Sequence, residues 1–333
     1  MDNVEPKARS KGFFEYFPAP RFLKMSTVGL AFSDDAIRVI EFIDKPTGFV
    51  LGRFGEIALP KGSINGGYIN DVPALVRILK EIKDRKKLSF VRASLPEEKG
   101  YVFTIRIPEL TYGEMRSSIE YKIEENAPVN VSDVVFDFNI IPDSLDENNT
   151  VEVVVSVLPE KVVSTYVSAL QDAEIEPVAF EIESQAVARS VISRNENGVY
   201  AIVNLFPHKV GLYIVKKNVV VFTSTVSLLE RDRNQDTESF ILEQIEKLLI
   251  FWTTRIGDNI KQSDHISLVR LVGDFPNIEK LEQFLSAGLV IPVQIGNVWE
   301  NAFSFNKHIP EIKKTDSLRF SAAVGLALPI FNE

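Results

Sequence analysis

Two stretches of the chain, VGLAFSDDAIRVIEF at 28–42 and AIVNLFPHKVGLYIV at 201–215, align as one strand–turn–strand hairpin written twice. Each is followed by a third extended run rich in Val, Ile and Phe, and then by an amphipathic helix. After the first come FVLGRFGEIAL and DVPALVRILKEIKDRKK, in which Val72, Leu75, Val76, Leu79 and Ile82 fall at helical spacing behind Asp71 as N-cap. After the second come VVVFTSTVSLL and TESFILEQIEKLLIFWTTRIGDN, with Ile241, Ile245, Leu248, Leu249 and Trp252 on one face. A strand–strand–strand–helix unit that recurs is an internal duplication. Two such units, each with a sheet face to bury, predict two lobes with a cleft between them.

The segment between the repeats has another pattern. From 88 to 177, the extended runs SFVRASLP, YVFTIRIP, DVVFDFNII and TVEVVVSVLP alternate with the helical runs YGEMRSSIEYKIEENAP and EKVVSTYVSALQDA. This predicts a small α+β subdomain inserted in a first lobe that begins at 27–87 and resumes at 178–197. Residues 198–330 are assigned to the second lobe, closing with HISLVRLVG, NIEKLEQFLSAG, VIPVQIG and the helical SLRFSAAVGLALP. The class is α/β, and 333 residues suffice for two lobes with their own cores.

Composition removes several functions. A formal charge of −9 offers no basic surface for nucleic acid. The lack of cysteine removes disulfides, thiolate nucleophiles and thiolate metal sites, and fits a reducing, cytoplasmic setting. No run approaches the roughly 20 apolar residues of a membrane span, and the N-terminus does not read as a secretory signal. Residues 1–26 form a tail in which Phe13, Phe14, Tyr16, Phe17 and Phe22 stand among basic residues and prolines. That composition suits docking on the protein's own body, or contact with a partner or membrane surface. KDRKK at 83–87 ends a helix, where cations complement the carbonyl end. His208, His265 and His308 lack metal-binding spacing, Asp133 and Asp137 share a strand face and read as solvated, and Ser94 and Ser184 lack nucleophile-elbow glycines. No catalytic residue and no metal site is assigned.

The duplicated βββα lobes, the α+β insert and the closing RFSAAVGLALP helix together resemble the actin-like (ribonuclease H-like) ATPase superfamily, and within it the PilM family of type IV pilus assembly proteins. FtsA division proteins are a near relative. IPELTYGEMRSSIEYKIEENAPVNVSDVVFDFNII is similar to that family's insert, and EIEPVAFEIESQAVARSV to its return strand and helix, with Glu181 and Glu183 at acidic positions. LVIPVQIGNVWE is similar to an IPVEVGNPF type of ending.

In that superfamily ATP and magnesium lie between the lobes, held by hairpin loops of the form G-x-D-x-G and D-x-G and by a Gly-rich adenosine loop. Glycine admits backbone N–H groups to the phosphates, and aspartate holds the hydrated metal. The matching positions here are degenerate. Gly29 is kept, but Ala31 stands for the Asp and Ser33 for the second Gly, followed by Asp34 and Asp35. In the second loop Asn204 replaces Asp and Phe206 replaces Gly, with Pro207 and His208 in the turn. In the third, Gly273 is followed by Asp274, Phe275 and Pro276, and only ERDRNQDTES stands where relatives carry a helical subdomain. The expectation is a pseudo-ATPase, not an enzyme, with no cofactor in place of ATP and magnesium.

The resemblance also implies a partner. PilM proteins bind a short N-terminal cytoplasmic peptide of the inner-membrane protein PilN, in a groove between the first lobe and its insert. Carried over by position, the lining would come from Met115, Ile119 and Ile123 of the insert helix and from neighbouring strands, which would add main-chain hydrogen bonds to an extended peptide. The implied role is a scaffold at the inner face of the cell membrane, attached through its partners, meeting other pilus assembly proteins and with self-association left open. The machine is a pilus, a secretion system or a DNA-uptake apparatus. Two alternatives stand beside it: an ATP-binding actin-like protein with unusual loops, and an FtsA-like division adaptor, disfavoured because LPIFNE is not a basic amphipathic membrane helix.

Overall fold

The computed structural model describes residues 28–46, 48–232, 235–256 and 264–329. The aromatic and basic tail at 1–26 lies outside the described residues. The first repeat is a meander of β1 (Val28–Phe32), β2 (Ala36–Lys45) and β3 (Gly48–Ala58), then a small hairpin of β4 (Ile64–Asn65) and β5 (Tyr68–Ile69), then α1 (Val72–Lys86) and β6 (Phe90–Leu95). Asp71 caps α1 as expected, its Oδ1 accepting from the N–H of Ala74 at 2.9 Å. The basic run closes the same helix, with Lys83, Arg85 and Lys86 in the last turn and Lys87 in the left-handed conformation at φ 51°.

The insert consists of β7 (Tyr101–Pro108), α2 (Tyr112–Glu120), α3 (Ile123–Asn126), β8 (Val134–Ile140) and β9 (Thr150–Pro159), with strand order β7-β9-β8. The chain then re-enters the first lobe through α4 (Glu160–Asp172), β10 (Glu176–Ile182) and α5 (Glu183–Val191). The second repeat follows as β11 (Val199–Leu205), β12 (Lys209–Lys216), β13 (Val219–Ser227), α6 (Thr237–Ile256), β14 (Ile266–Gly273), α7 (Ile278–Gly288) and β15 (Val293–Ile295). Two short helices close the described chain, α8 (Lys314–Ser317) and α9 (Ser321–Ala327).

The duplication is visible in the sheets. The first has the order β10-β6-β1-β2-β3 and the second β15-β14-β11-β12-β13. In each, the repeat's first strand pairs antiparallel with its hairpin partner and parallel with the strand that follows the helix. The insert is narrower than 88–177. β6 pairs parallel with β1, so SFVRASLP belongs to the first-lobe sheet. Val162, Tyr166, Ala169 and Leu170 of α4 pack beside Leu75, Leu79 and Ile82 of α1 in the first-lobe core. Local pattern could not separate these elements from the insert, because sheet membership is decided by pairing between strands distant in sequence.

The closing helix also departs from its assignment to the second lobe. α9 packs on β1 and α5 of the first lobe, and it shares one core with the second-lobe sheet. The approach is close. A Cβ on Gly325 would fall 1.7 Å from the carbonyl oxygen of Ala186 in α5, and one on Gly29 would fall 2.1 Å from that of Ala323 in α9. Gly113 in α2, by contrast, has nothing within 4 Å of such an atom. Gly325→Ala is therefore expected to lower stability by about 2 kcal/mol or more through overpacking. Gly113→Ala should be neutral or stabilise by about 0.5–1 kcal/mol through helix propensity. Urea midpoints of the two variants against the parent check the pair, and equal midpoints would contradict this packing.

Candidate functional site

The two hairpin turns face each other between the lobes, each closed in the same way. The N–H of Ser33 donates to the carbonyl of Ala36 at 2.9 Å, and the N–H of Phe206 to that of Lys209 at 3.0 Å. The third loop leaves β14 at Gly273, whose φ of +99° and would-be Cβ 2.0 Å from the Leu205 carbonyl both demand glycine. Ala31, Ser33, Asn204, Phe206 and Gly273 thus converge on one cavity, as the degenerate loops imply. Gly29 is not among them: it serves the packing of α9 instead.

The cavity they enclose is about 10 Å³, roughly the room of one water molecule. Lys209 of the second turn pairs with Asp34 of the first at 3.2 Å and also with Glu98, while its ammonium lies 4.9 Å from the centroid of the Phe206 ring. Arg38 donates to the Ser33 hydroxyl at 3.0 Å and pairs with Asp35 at 3.3 Å and Glu56 at 2.8 Å. Arg319 joins Glu56 at 3.2 Å to Asp274 of the third loop at 3.9 Å. The three loops are laced together by the chain's own charges. The residues present do not fit magnesium and a triphosphate: the volume is lacking, a phenyl ring stands at the cradle, and the carboxylates already hold internal cations.

Beneath these pairs lies a cluster of buried acids. Glu97 is buried, its Oε1 accepting from the Thr225 hydroxyl at 3.2 Å, while its Oε2 has no partner. Burial first, then the Glu183 and Glu98 charges, hold Glu97 well above the usual carboxylate range. Burial likewise pushes Glu183 up to about 7, against the pull of Lys209. Lys209 itself ends above its ordinary value, since Glu98, Asp34 and Glu183 outweigh a burial that opposes its charge.

The sign of the pH dependence follows. A carboxyl whose pKa is raised on folding binds more protons in the folded state between the two values, so stability falls as pH rises through that window. For Glu183 the window runs from its unfolded 4.5 to about 7. Stability of the parent relative to Glu183→Gln should therefore fall by on the order of 3 kcal/mol across it, read from urea unfolding at a series of pH values. A flat difference would mean that Glu183 is not held protonated by the fold.

A second concavity, of about 650 Å³, opens between the insert and the first lobe. Its floor is the outer face of the insert sheet, with Val154, Ser156 and Leu158 of β9 and Val135, Asp137 and Asn139 of β8. Its far wall is β10 and the start of α5, and the β12–β13 turn of the second lobe closes one end with Lys217, Asn218, Val219 and Val220. Both β8 and β10 are edge strands. Met115, Ile119 and Ile123, expected to line this groove, do not. They are 4%, 0% and 0% exposed and pack with Ile107, Phe138, Val153, Val155 and Val157 in the insert's own core. Successive strand residues point to opposite faces, so the helices of the insert cover one face of its sheet and leave the other to the groove.

Sequence reasoning missed Lys209 and Gln185 as site residues. A lysine in one repeat's turn opposite two aspartates in the other's was a readable signal for the first; no local signal marked the second.

A family model for the type IV pilus assembly protein PilM matches residues 29–232. Among solved structures, one of a PilM–PilN type IV pilus biogenesis complex superposes with a TM-score of 0.73 at 19% identity, over 92% of this chain and 98% of that one. The ethanolamine utilization protein EutJ of Carboxydothermus hydrogenoformans gives 0.48 at 12% identity, over 91% and 89% of the two chains. The cytoplasmic domain of EpsL, an inner-membrane component of the type II secretion system of Vibrio cholerae, gives 0.46 at 11%, over 90% and 94%. No curated protein matches the sequence. With the family model spanning more than half of its 333 residues, on the duplicated actin-like lobes described above, the chain belongs to the PilM family of type IV pilus assembly proteins.

Proposed function

We propose that this protein is a cytoplasmic scaffold at the inner face of the membrane, in a type IV pilus or related assembly machine. In this reading it docks the extended N-terminal segment of a PilN-type membrane protein in the groove, and its interlobe cleft is a relic that takes no ATP. The observation that carries the reading is the contrast between about 650 Å³ in the groove and about 10 Å³ in the cleft. Sites for small molecules occupy roughly 300–1,000 Å³, a size the cleft does not approach. Edge strands present unpaired N–H and C=O groups to an added chain, and Val135, Ile140 and Phe180 supply apolar contacts along the way. That the superposed PilM structure is of a complex with PilN supports the choice of partner.

Calorimetric titration tests both halves separately. A synthetic peptide of the PilN-type protein's cytoplasmic segment should bind, and ATP with magnesium should give no heat at the same protein concentration. Val135→Arg, at a groove position that is 39% exposed, should weaken the peptide about tenfold or more by blocking the groove, without moving the urea midpoint. Micromolar ATP binding would overturn the relic reading, and a silent peptide titration the docking reading.

A further inference from the structure

Of the β8 and β9 residues that floor the groove, only Asp137 is charged. Phe138 lies in the core of the insert and Phe136 packs against it. By the alternation of a strand, Val135, Asp137 and Asn139 present the opposite face, and all three are exposed there. Asp133, which sequence spacing sets on the same face, lies instead in the turn before β8 and accepts from Nδ2 of Asn130 at 3.3 Å. Asp137 alone therefore carries charge into the groove from this strand. Its Oδ1 accepts from the N–H of Phe138 at 2.9 Å, and among the described residues no cation pairs with it.

Other groove charges are met within the chain. Glu181, the second carboxylate of the lining, is held by Arg189. Lys217 donates to the Pro142 carbonyl at 2.7 Å and pairs with Asp143 at 3.3 Å, and Arg92 donates to the Leu328 carbonyl at 3.1 Å. Around Asp137 the sheet is neutral: Ser156 is its cross-strand partner, and Val154 and Leu158 are the diagonal neighbours. In water a bare carboxylate costs nothing. Beneath a docked segment it loses hydration, and a charge taken from water is costly unless an opposite charge meets it. An apolar or acidic residue set against Asp137 is penalised, whereas a cation opposite an acid on one sheet face is favoured.

We infer that Asp137 is a specificity-determining contact of the groove, selecting a segment that sets a Lys or Arg side chain over the middle of β8. This rests on the docking reading above. The contact also constrains register. A strand that slips by one residue turns every side chain to the opposite face, so a slipped segment would carry its cation off the floor and leave the carboxylate uncompensated. One charge among neutral neighbours thereby reads both the chemistry of the segment and its alignment.

The experiment titrates the full-length parent and Asp137→Asn with the same PilN-type peptide, and with peptides in which each Lys or Arg is changed singly to Gln. Asparagine keeps an acceptor for the Phe138 N–H, so the urea midpoint should not move. Asp137→Asn should weaken the unchanged peptide about two- to fivefold at low salt, and added salt should weaken the parent more steeply than the variant. One Gln-substituted peptide should lose a similar factor on the parent and nothing further on Asp137→Asn. With the charges exchanged, a peptide carrying Glu at that position should bind Asp137→Lys more tightly than it binds the parent. Equal affinity of parent and Asp137→Asn would overturn this inference alone. So would a shifted midpoint, losses that multiply for every cation of the peptide, or parent-like binding of a peptide whose Lys and Arg are all Gln. A parent that binds no peptide would overturn the docking reading and this inference together.

Discussion

Everything at the centre of this molecule depends on how closely α9 lies on α5 and β1. At Gly325 and Gly29 a single added carbon has no room, and between them they bring a buried helix into contact with both another helix and a sheet. That contact lets one core run from Ala31, Ile40 and Phe42 of the first lobe through α5 and α9 to the second-lobe sheet. Gly29 would be read in the superfamily's hairpin as a phosphate-loop remnant. In this fold its role is steric.

The cleft is acidic and narrow. Asp34, Glu98 and Glu183 would repel one another between low-dielectric walls without a cation among them, and Lys209 supplies it from the opposite repeat. Removing one partner of such a set leaves an uncompensated buried charge, which costs more than the pair gains. The acids and the lysine therefore stand or fall together. Arg38 and Arg319 extend the arrangement to Glu56 and Asp274, so all three loops are tied by protein atoms.

The repeat was legible because hairpins and amphipathic helices are local, and AIVNLFPHKVGLYIV could be laid on VGLAFSDDAIRVIEF residue by residue. The insert's limits were not, since β6 and α4 look like insert elements in sequence and join the first lobe only through pairing and packing. Met115, Ile119 and Ile123 illustrate a related limit. Their spacing correctly marks one apolar helix face, but periodicity does not say whether that face meets a partner or the chain's own sheet.

Cleft and groove are not independent, because α5 begins between them. Glu183 faces the cleft and Gln185 faces the groove. Through Gln185 the helix also holds the Asn218 and Val220 backbone of the second lobe, so part of the groove's wall belongs to the lobe across the cleft. A groove built that way keeps its shape only while the lobes keep their relative position. Lys209 with Asp34 and Glu98, and Arg319 bridging Glu56 and Asp274, hold that position without an added ligand. Preorganisation lowers the cost of binding, since ordering completed in folding need not be repeated on association. The charges in the cleft thereby help to hold the wall of the groove in place.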